Sequence, residues 1–385
     1  MLNFTFQNPT RIHFGDDQIK AISKEIPLDA KVLVTYGGGS IKSNGVYDQV
    51  VAALSEHNWV EFSGIEPNPT YDQLIKAVDV INEHNVDYIL AVGGGSVVDG
   101  SKFIAAAAVF AGDDAWDILS KHAPITKALP LGAVLTLPAT GSESNGGAVI
   151  TRNGSKLSFG SPLVRPSFAV LDPAVSLSLS DRQISNGVVD AFVHTMEQYM
   201  TYSINAKVQD RFSEGLLLTL IEEGPKALKP ETKDDLDIRG NIMWSATMAL
   251  NGLIGAGVPH DWATHMIGHE LTAAHGVDHA RSLSIVLPAV MKVMREDKRS
   301  KLLQYAERVW NITVTDEDQK IDLAIAKTEA FFKVMQVPTT LTDAGITSAD
   351  IDNLMAKLEK HGMVALGERK NITLEVSRQI LETAL

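Results

Sequence analysis

The sequence predicts an α/β chain: residues 1–180 form a parallel β-sheet covered by helices, and residues 181–385 are all helix. Three observations carry this division. β-Branched runs alternate with helical patterns up to about residue 180; strands alternating with helices imply a parallel sheet covered on both faces. Beyond that point the β-branched clusters give way to long 3.6-residue periodicities. A unit of strand, Gly-Gly-Gly-Ser and helix occurs twice in the first part, at 31–42 and 88–100. A chain of 385 residues with 45% hydrophobic content can bury two such domains, 1–180 and 181–385.

In chain order, MLNFTFQNPTRIHFG alternates like a strand, and KVLVTY (31–36) is a second one. Helical patterns follow near 43–56 and 71–84, then the strand YILAV (88–92) and a helix near 97–111. LGAVLTLP (131–138) and FAVLDP (168–173) read as further strands, and Pro173 with SLSLSD (176–181) breaks the pattern. Helical periodicity then runs over Val208 to Ile221, Ile238 to Leu250, Asp261 to His275 and Ile321 to Met335, the last punctuated by Val337-Pro338. A β/α part followed by an α part predicts a ligand cleft between the two.

Composition removes several classes of function. Lys+Arg number 34 against Asp+Glu 47, a net charge of −13 with no basic run, which disfavours nucleic acid and anionic membrane as partners. With Cys 0 there is no disulfide, no thiolate metal ligand and no cysteine nucleophile, so any metal must be held by His and carboxylate. The longest apolar run, Phe103 to Ala111, is about half of a membrane span, and the start lacks the pattern of a signal peptide, so a soluble, cytoplasmic protein is expected.

The two Gly-Gly-Gly-Ser turns, Gly37-Gly38-Gly39-Ser40 and Gly93-Gly94-Gly95-Ser96, each sit between a predicted strand and a helix. Such turns let backbone N–H groups approach phosphate oxygens at a helix N-terminus. Neither is GxGxxG, since Val98 takes the place of the third Gly, and no GK[ST] follows. A single copy reads equally as a tight structural turn; two copies at strand ends favour a nucleotide. A third segment, Thr136 to Asn145, follows a strand and is rich in Gly, Ser and Thr, which suits a pyrophosphate or ribose.

Five histidines, His260, His265, His269, His275 and His279, fall within 20 residues. His265 and His269 are four apart on one helix face, whereas His275 lies on another. HELTAAH (269–275) is not a zinc-protease motif, because its second His is six residues on. Gly276 reads as a helix C′ residue and makes His275 a last-turn residue; Asp278 then N-caps a helix starting at His279, and the turn swings His279 back. His260, after Pro259, is expected to be exposed. Earlier, Asp190 and His194 are also four apart, with Glu197 nearly above them. One carboxylate and one imidazole there, with two imidazoles from the later cluster, make an N3O site for zinc or iron. The alternative is an i,i+4 packing and capping arrangement.

These residues together resemble the iron-containing, or group III metal-dependent, alcohol dehydrogenases, and within them the NADPH-dependent aldehyde reductases. The likeness extends from FQNPTRIHFG through IEPNPTYD, VDAFVHTMEQY and GVPHDWATHMIGHELTA to LLQYAERVWNIT. It implies a Rossmann-like domain followed by an all-α domain, the dehydroquinate-synthase-like fold. It also implies a metal on Asp190, His194, His265 and His279. The family's pyrophosphate site falls on Gly93, Gly94, Gly95 and Ser96 with Asp99, and its channel segment on Thr136, Thr140 and Ser142, through Glu143. Lys156 falls on a cofactor-contacting Lys, His269 on a His near the nicotinamide, and a homodimer is expected. NAD-preferring members carry an Asp after the first strand; here Gly37, Gly38, Gly39 and Ser40, with Lys42 nearby, argue for NADP.

The implied reaction is NADPH-dependent reduction of small aldehydes, His269 relaying a proton and a divalent zinc or iron polarising the carbonyl. The apolar stretch Leu253 to Val258 favours small uncharged substrates. A polyol or glycerol-type dehydrogenase, or a dehydroquinate-synthase-like lyase, is the alternative on the same fold. The lyase demands several basic residues that the ligand segments lack, and a non-catalytic sensor fits a less complete ligand set.

Overall fold

A computed structural model describes residues 1–385. The first part runs β1 (Arg11–Phe14), α1 (Ile22–Glu25), β2 (Lys31–Tyr36), α2 (Ser40–Ser43), α3 (Val46–Ala53), β3 (Asn58–Phe62), α4 (Tyr71–His84), β4 (Tyr88–Gly93), α5 (Gly95–Ala107), α6 (Asp117–Ser120), β5 (Leu131–Leu135), β6 (Gly147–Arg152), β7 (Ser155–Gly160) and β8 (Phe168–Leu171). Six strands form one sheet in the order β1-β8-β5-β4-β2-β3, and every pair in it is parallel. β4, β5 and β8 are buried along their whole length, as strands covered on both faces must be.

Alternation along these strands divides the core in two. Val32, Val34, Leu90 and Val92 face one side with Val46 and Val50 of α3. Leu33, Ile89 and Ala91 face the other, with Leu74 and Ala77 of α4 and Val97, Val98 and Ile104 of α5. The chain therefore leaves β2 on one face of the sheet and leaves β4, its neighbour, on the opposite face. That divergence is a topological switch point, and in open parallel sheets the crevice there is where ligands bind.

Three local expectations need correction. Residues 1–10 carry no strand; only Arg11–Phe14 pairs, in register with Phe168–Leu171 of β8. The helix expected near 43–56 is two short ones, α2 and α3, because Gly45 takes a left-handed φ of 81° between them. The antiparallel hairpin β6–β7 was not foreseen, although Asn153 (φ 51°) and Gly154 (φ 74°) form the left-handed pair that a two-residue hairpin turn requires.

The remainder runs α7 (Asp181–Tyr199), α8 (Lys207–Glu223), α9 (Leu236–Leu250), α10 (Ala263–His275), α11 (His279–Val293), α12 (Arg299–Arg308), α13 (Glu317–Val334), α14 (Ile351–Lys360), β9 (Ala365–Leu366), β10 (Ile372–Thr373) and α15 (Leu374–Thr383). The two-residue strands β9 and β10 are a small departure from the all-helix expectation. A reciprocal Ser180–Gln183 capping box starts α7. Ile267, Leu271, Ile285, Val286, Leu354 and Leu381 pack α10, α11, α14 and α15 into one core.

Contacts divide the chain into two compact units, neither of them contiguous. One comprises Gln7–Leu179 with Asp234–Thr247, the other Met1–Phe6, Ser180–Lys233 and Met248–Leu385. No helix is long and apolar enough to cross a membrane.

Candidate active site

The period of α7 sets Asp190, His194 and Glu197 on one stripe, and all three are buried. α10 ends at Gly276, whose φ of 68° gives the left-handed cap, and α11 starts three residues later at His279. Asp278 does sit at the N-cap position of α11, but its side chain does not cap the helix. Its carboxylate instead accepts from Arg182 Nε at 2.7 Å and Asn186 Nδ2 at 2.8 Å. The Arg182 guanidinium holds the Asp278 carboxyl below its ordinary range. These bonds fix the start of α11 beside the first turns of α7.

The consequence is a cluster around one oxygen. Nε2 of His279, His194 and His265 lie 3.6, 3.7 and 3.9 Å from Asp190 Oδ1. The donor atoms of Asp190, His265 and His279 all lie within 4.8 Å of one another. His194 joins through Asp190, its ring stacked on His265 with centroids 4.6 Å apart. Asp190 Oδ1 is buried and has no hydrogen-bond partner, and such an oxygen is costly unless something cationic satisfies it. Bonds of about 2.0–2.2 Å in a tetrahedral N3O site put donor atoms about 3.3–3.6 Å apart, and the three imidazole nitrogens stand 3.6–3.9 Å from Asp190 Oδ1, so the donor set suits a divalent ion. His279 is the most open member, its side chain 25% exposed against 4–6% for the other three.

Among the other histidines, His269 is buried and packs on His279 with ring centroids 5.2 Å apart. His275 is exposed at the last turn of α10, away from the cluster. His260 is half-buried rather than exposed: its Nε2 meets Gly255 O at 2.9 Å, and Trp262 Nε1 donates to its Nδ1 at 3.2 Å. Glu197 is the member of the stripe to which sequence reasoning gave no role. Its Oε1 accepts from the N–H of Thr264 at 2.7 Å and of His265 at 3.3 Å, and its Oε2 is in close contact with His265 Nδ1. Burial and the nearby Asp261 raise the Glu197 carboxyl, while the two N–H groups oppose the rise. The i, i+4, i+7 spacing was the available signal.

At the switch point the two Gly-Gly-Gly-Ser turns lie at the ends of adjacent strands, with Tyr36 opposite Val92. Their surroundings differ. In the first, Gly38 and Ser40 are exposed, and a Cβ on Gly38 or Gly39 would meet nothing within 4 Å. In the second, a Cβ on Gly93 would come within 2.5 Å of Val97, one on Gly94 within 3.1 Å of Leu137, and one on Gly95 within 2.5 Å of Thr140. The second turn is therefore interlocked with the 136–143 segment, and Thr136 N–H donates to Gly93 O at 3.0 Å. It leads into the 13-residue helix α5, whose N-terminus favours anions, whereas the first leads into the four-residue α2.

Beneath the second turn runs a buried brace. Lys102 Nζ donates to Ser142 Oγ (2.7 Å), Asn145 Oδ1 (3.0 Å) and Gly147 O (2.7 Å). Ser142 Oγ donates to Asp99 Oδ1 at 2.5 Å, and Asp99 Oδ2 accepts from Val149 N–H at 2.9 Å. Burial lifts the Asp99 carboxyl and lowers the Lys102 ammonium to about 8, each charge moderating the other's shift. Lys156, on β7, is close enough for its charge to act on Asp99 in the same sense as Lys102. Glu143 is buried and accepts from Thr247 Oγ1 at 2.5 Å. Sequence reasoning missed Lys102, which hides in an apolar run. Lys42, near the first turn, lies 3.4 Å from Glu61 Oε1 and over the rings of Tyr36 and Tyr47, so its charge is shared with a carboxylate rather than reserved for a phosphate.

Comparison with known proteins gives concordant results. A family model described as iron-containing alcohol dehydrogenase matches residues 9–173. The C-terminal model of the Fe-containing alcohol dehydrogenase family matches residues 184–385. The chain is 58% identical over 388 residues to the NADPH-dependent aldehyde reductase YqhD of Escherichia coli, covering 100% of each. The crystal structure of E. coli YqhD superposes with a TM-score of 0.98, covering 100% of this chain and 99% of that one. An NADH-dependent butanol dehydrogenase A from Thermotoga maritima, 37% identical, superposes with a TM-score of 0.95 over 100% and 99% of the two chains.

Proposed function

The chain belongs to the iron-containing alcohol dehydrogenase family, and we propose that it reduces small aldehydes to alcohols with NADPH and one divalent metal, the reverse oxidation using the same site. The observation that carries this reading is the convergence of three imidazole Nε2 atoms on the unpartnered Asp190 Oδ1. Held by Asp190, His194, His265 and His279, a zinc or iron ion supplies a Lewis acid for the carbonyl oxygen, and NADPH supplies the hydride. The chain's own groups then have distinct tasks. Asp190, His194 and His265, buried on α7 and α10, keep the cluster's geometry fixed, and the more open His279 of α11 marks the side from which an aldehyde enters.

Gly93 to Ser96 and the N-terminus of α5 offer N–H groups to the cofactor pyrophosphate, with Thr136, Thr140 and Lys156 beside them. The partly buried Asp99, with the buried Ser142 and Lys102, braces the first turns of α5 against the 142–149 segment. The exposed turn Gly37 to Ser40 takes the adenosine end. Its N–H groups and the Ser40 hydroxyl suit a 2′-phosphate, and no acidic side chain occupies the turn itself. The 58% identity to an NADPH-dependent relative supports the same preference. His269 would relay a proton, through water or a ribose hydroxyl, to the oxygen that receives charge; its packing on His279, ring centroids 5.2 Å apart, supports this role. A homodimer is supported by the exposed apolar residues Leu2, Phe4 and Phe6 of the N-terminal arm, and light scattering tests it.

The reading is tested with purified protein loaded with zinc or with iron, a panel of short aldehydes, and NADPH against NADH. Aldehyde-dependent oxidation of NADPH in preference to NADH is expected. No turnover with any aldehyde in the metal-loaded protein, or equal specificity constants for the two cofactors, contradicts it.

A further inference from the structure

Glu197 occupies a position that none of the roles above requires. It is 2% exposed, and it points at the first turn of the neighbouring helix α10. The N-cap residue of that helix, Trp262, in a left-handed conformation with φ 62°, gives no side-chain cap, and locally only Asp261 Oδ1 helps, accepting from Ala263 N–H at 3.1 Å. The first N–H groups of a helix need partners, and Glu197 Oε1 takes those of Thr264 and His265. The other oxygen meets His265 Nδ1. The main chain repeats the stitch, since Asp261 N–H donates to Glu197 O at 2.9 Å.

We infer that Glu197 is a positioning residue for the metal centre, acting through His265: it accepts the Nδ1 proton, which leaves the Nε2 lone pair directed at the ion, while its second oxygen locks the backbone that carries the ring. This rests on the metal reading above. An imidazole whose Nδ1 donates to a carboxylate is held in one tautomer and one orientation and is a stronger ligand. Asp261, a like charge near Glu197, is paired with Lys298 Nζ at 2.7 Å, and Lys298 is shared with Glu368 at 3.0 Å and Met200 O at 2.8 Å. Glu197 is thus held by Thr264, His265 and Asp261 N–H, with no cation of its own.

The test is Glu197→Gln, which keeps size and shape. Its amide oxygen can still take the α10 N–H groups, but its NH2 then faces His265 Nδ1. The ring answers by accepting there and carrying its proton on Nε2, where the metal must bind. Zinc affinity is measured by competition with a chromophoric chelator, and the melting temperature of the metal-free protein is measured alongside. Expected are a 10- to 100-fold weaker zinc affinity, a metal-free melting temperature within a few degrees of the parent, and partial recovery of affinity in Glu197→Asp. A purely structural role would lower the melting temperature of the metal-free form and leave zinc affinity in the folded fraction unchanged. Zinc binding by Glu197→Gln within about twofold of the parent overturns the inference. The parent failing to bind zinc would instead overturn the metal reading beneath it. If neither variant folds, the zinc-loaded parent with 15N-histidine decides: an Nδ1 proton far downfield on a metal-bound ring is expected, and its absence is contrary.

Discussion

Asp190, His194, His265 and His279 make a site by bringing side chains to one point, whereas Gly93, Gly94 and Gly95 make one by keeping side chains away. The first is buried, charged and held by partners one layer out, such as Glu197 and Asp278. The second is a surface of backbone whose shape is set by Leu137, Thr140 and Val97 filling the space a Cβ would take. The two should therefore fail in opposite ways. A convergent site is lost by deleting atoms, and a backbone site is lost by adding them.

Deletion at the cluster has the largest expected effect. Asp190→Ala removes the oxygen on which three imidazoles converge; bound metal should be lost, and turnover should fall by about 1000-fold or more. Metal content by mass spectrometry and kcat with NADPH check it, and stoichiometric metal at the parent rate contradicts the ligand assignment. Next is Lys298→Met, which strands the buried Asp261 and Glu368. Breaking a buried ion pair from one side costs about 3–5 kcal/mol, read as a shift of the denaturation midpoint.

Addition at the second turn comes third. Gly95→Ala sets a methyl 2.5 Å from Thr140. Overpacking of this kind costs about 1–3 kcal/mol, with weaker NADPH binding and unchanged metal content. Thr140→Ala in the same chain should restore part of the loss. At the first turn, Gly38→Asp meets open space and should leave stability within about 0.5 kcal/mol. It should nevertheless weaken NADPH by about 1–3 kcal/mol through repulsion of the 2′-phosphate, and NADH much less. Equal losses for both cofactors would show that the turn does not face that phosphate. The smallest effect belongs to His275→Ala, at an exposed last turn: metal and rate retained, and stability within about 0.5 kcal/mol.

The same contrast explains what was legible in the sequence. Asp190 and His194 lie on one helix, and helical period alone aligns them; Gly276 announces the turn that returns His279. The parallel sheet was legible because its strands are short apolar runs before glycines. Glu197 was visible as a neighbour on the stripe but not in its role, because that depends on where the first turn of α10 comes to rest, which no local pattern encodes. Lys102 was hidden for a similar reason. It follows Ser101 at the head of an Ala-rich run, and only the folded 142–147 segment gives its ammonium three acceptors. The hairpin at 147–160 was legible and overlooked, since Asn153-Gly154 is a strong turn signal. Conversely, Leu2, Phe4 and Phe6 alternate as a strand does, yet no neighbouring strand accepts them. Alternation describes a side chain's two environments and does not supply a hydrogen-bonding partner.

The most direct measurement separates the two sites in one sample. The zinc- or iron-loaded protein is stripped with a chelator, and NADPH affinity by fluorescence and aldehyde-dependent NADPH oxidation are followed together, before and after metal is restored. The expected result is that turnover disappears with the metal and returns with it, while NADPH affinity changes by less than about threefold, well under one tenfold step of binding free energy. Turnover that survives complete removal of the metal would contradict the central claim that Asp190, His194, His265 and His279 build the centre where the carbonyl is reduced.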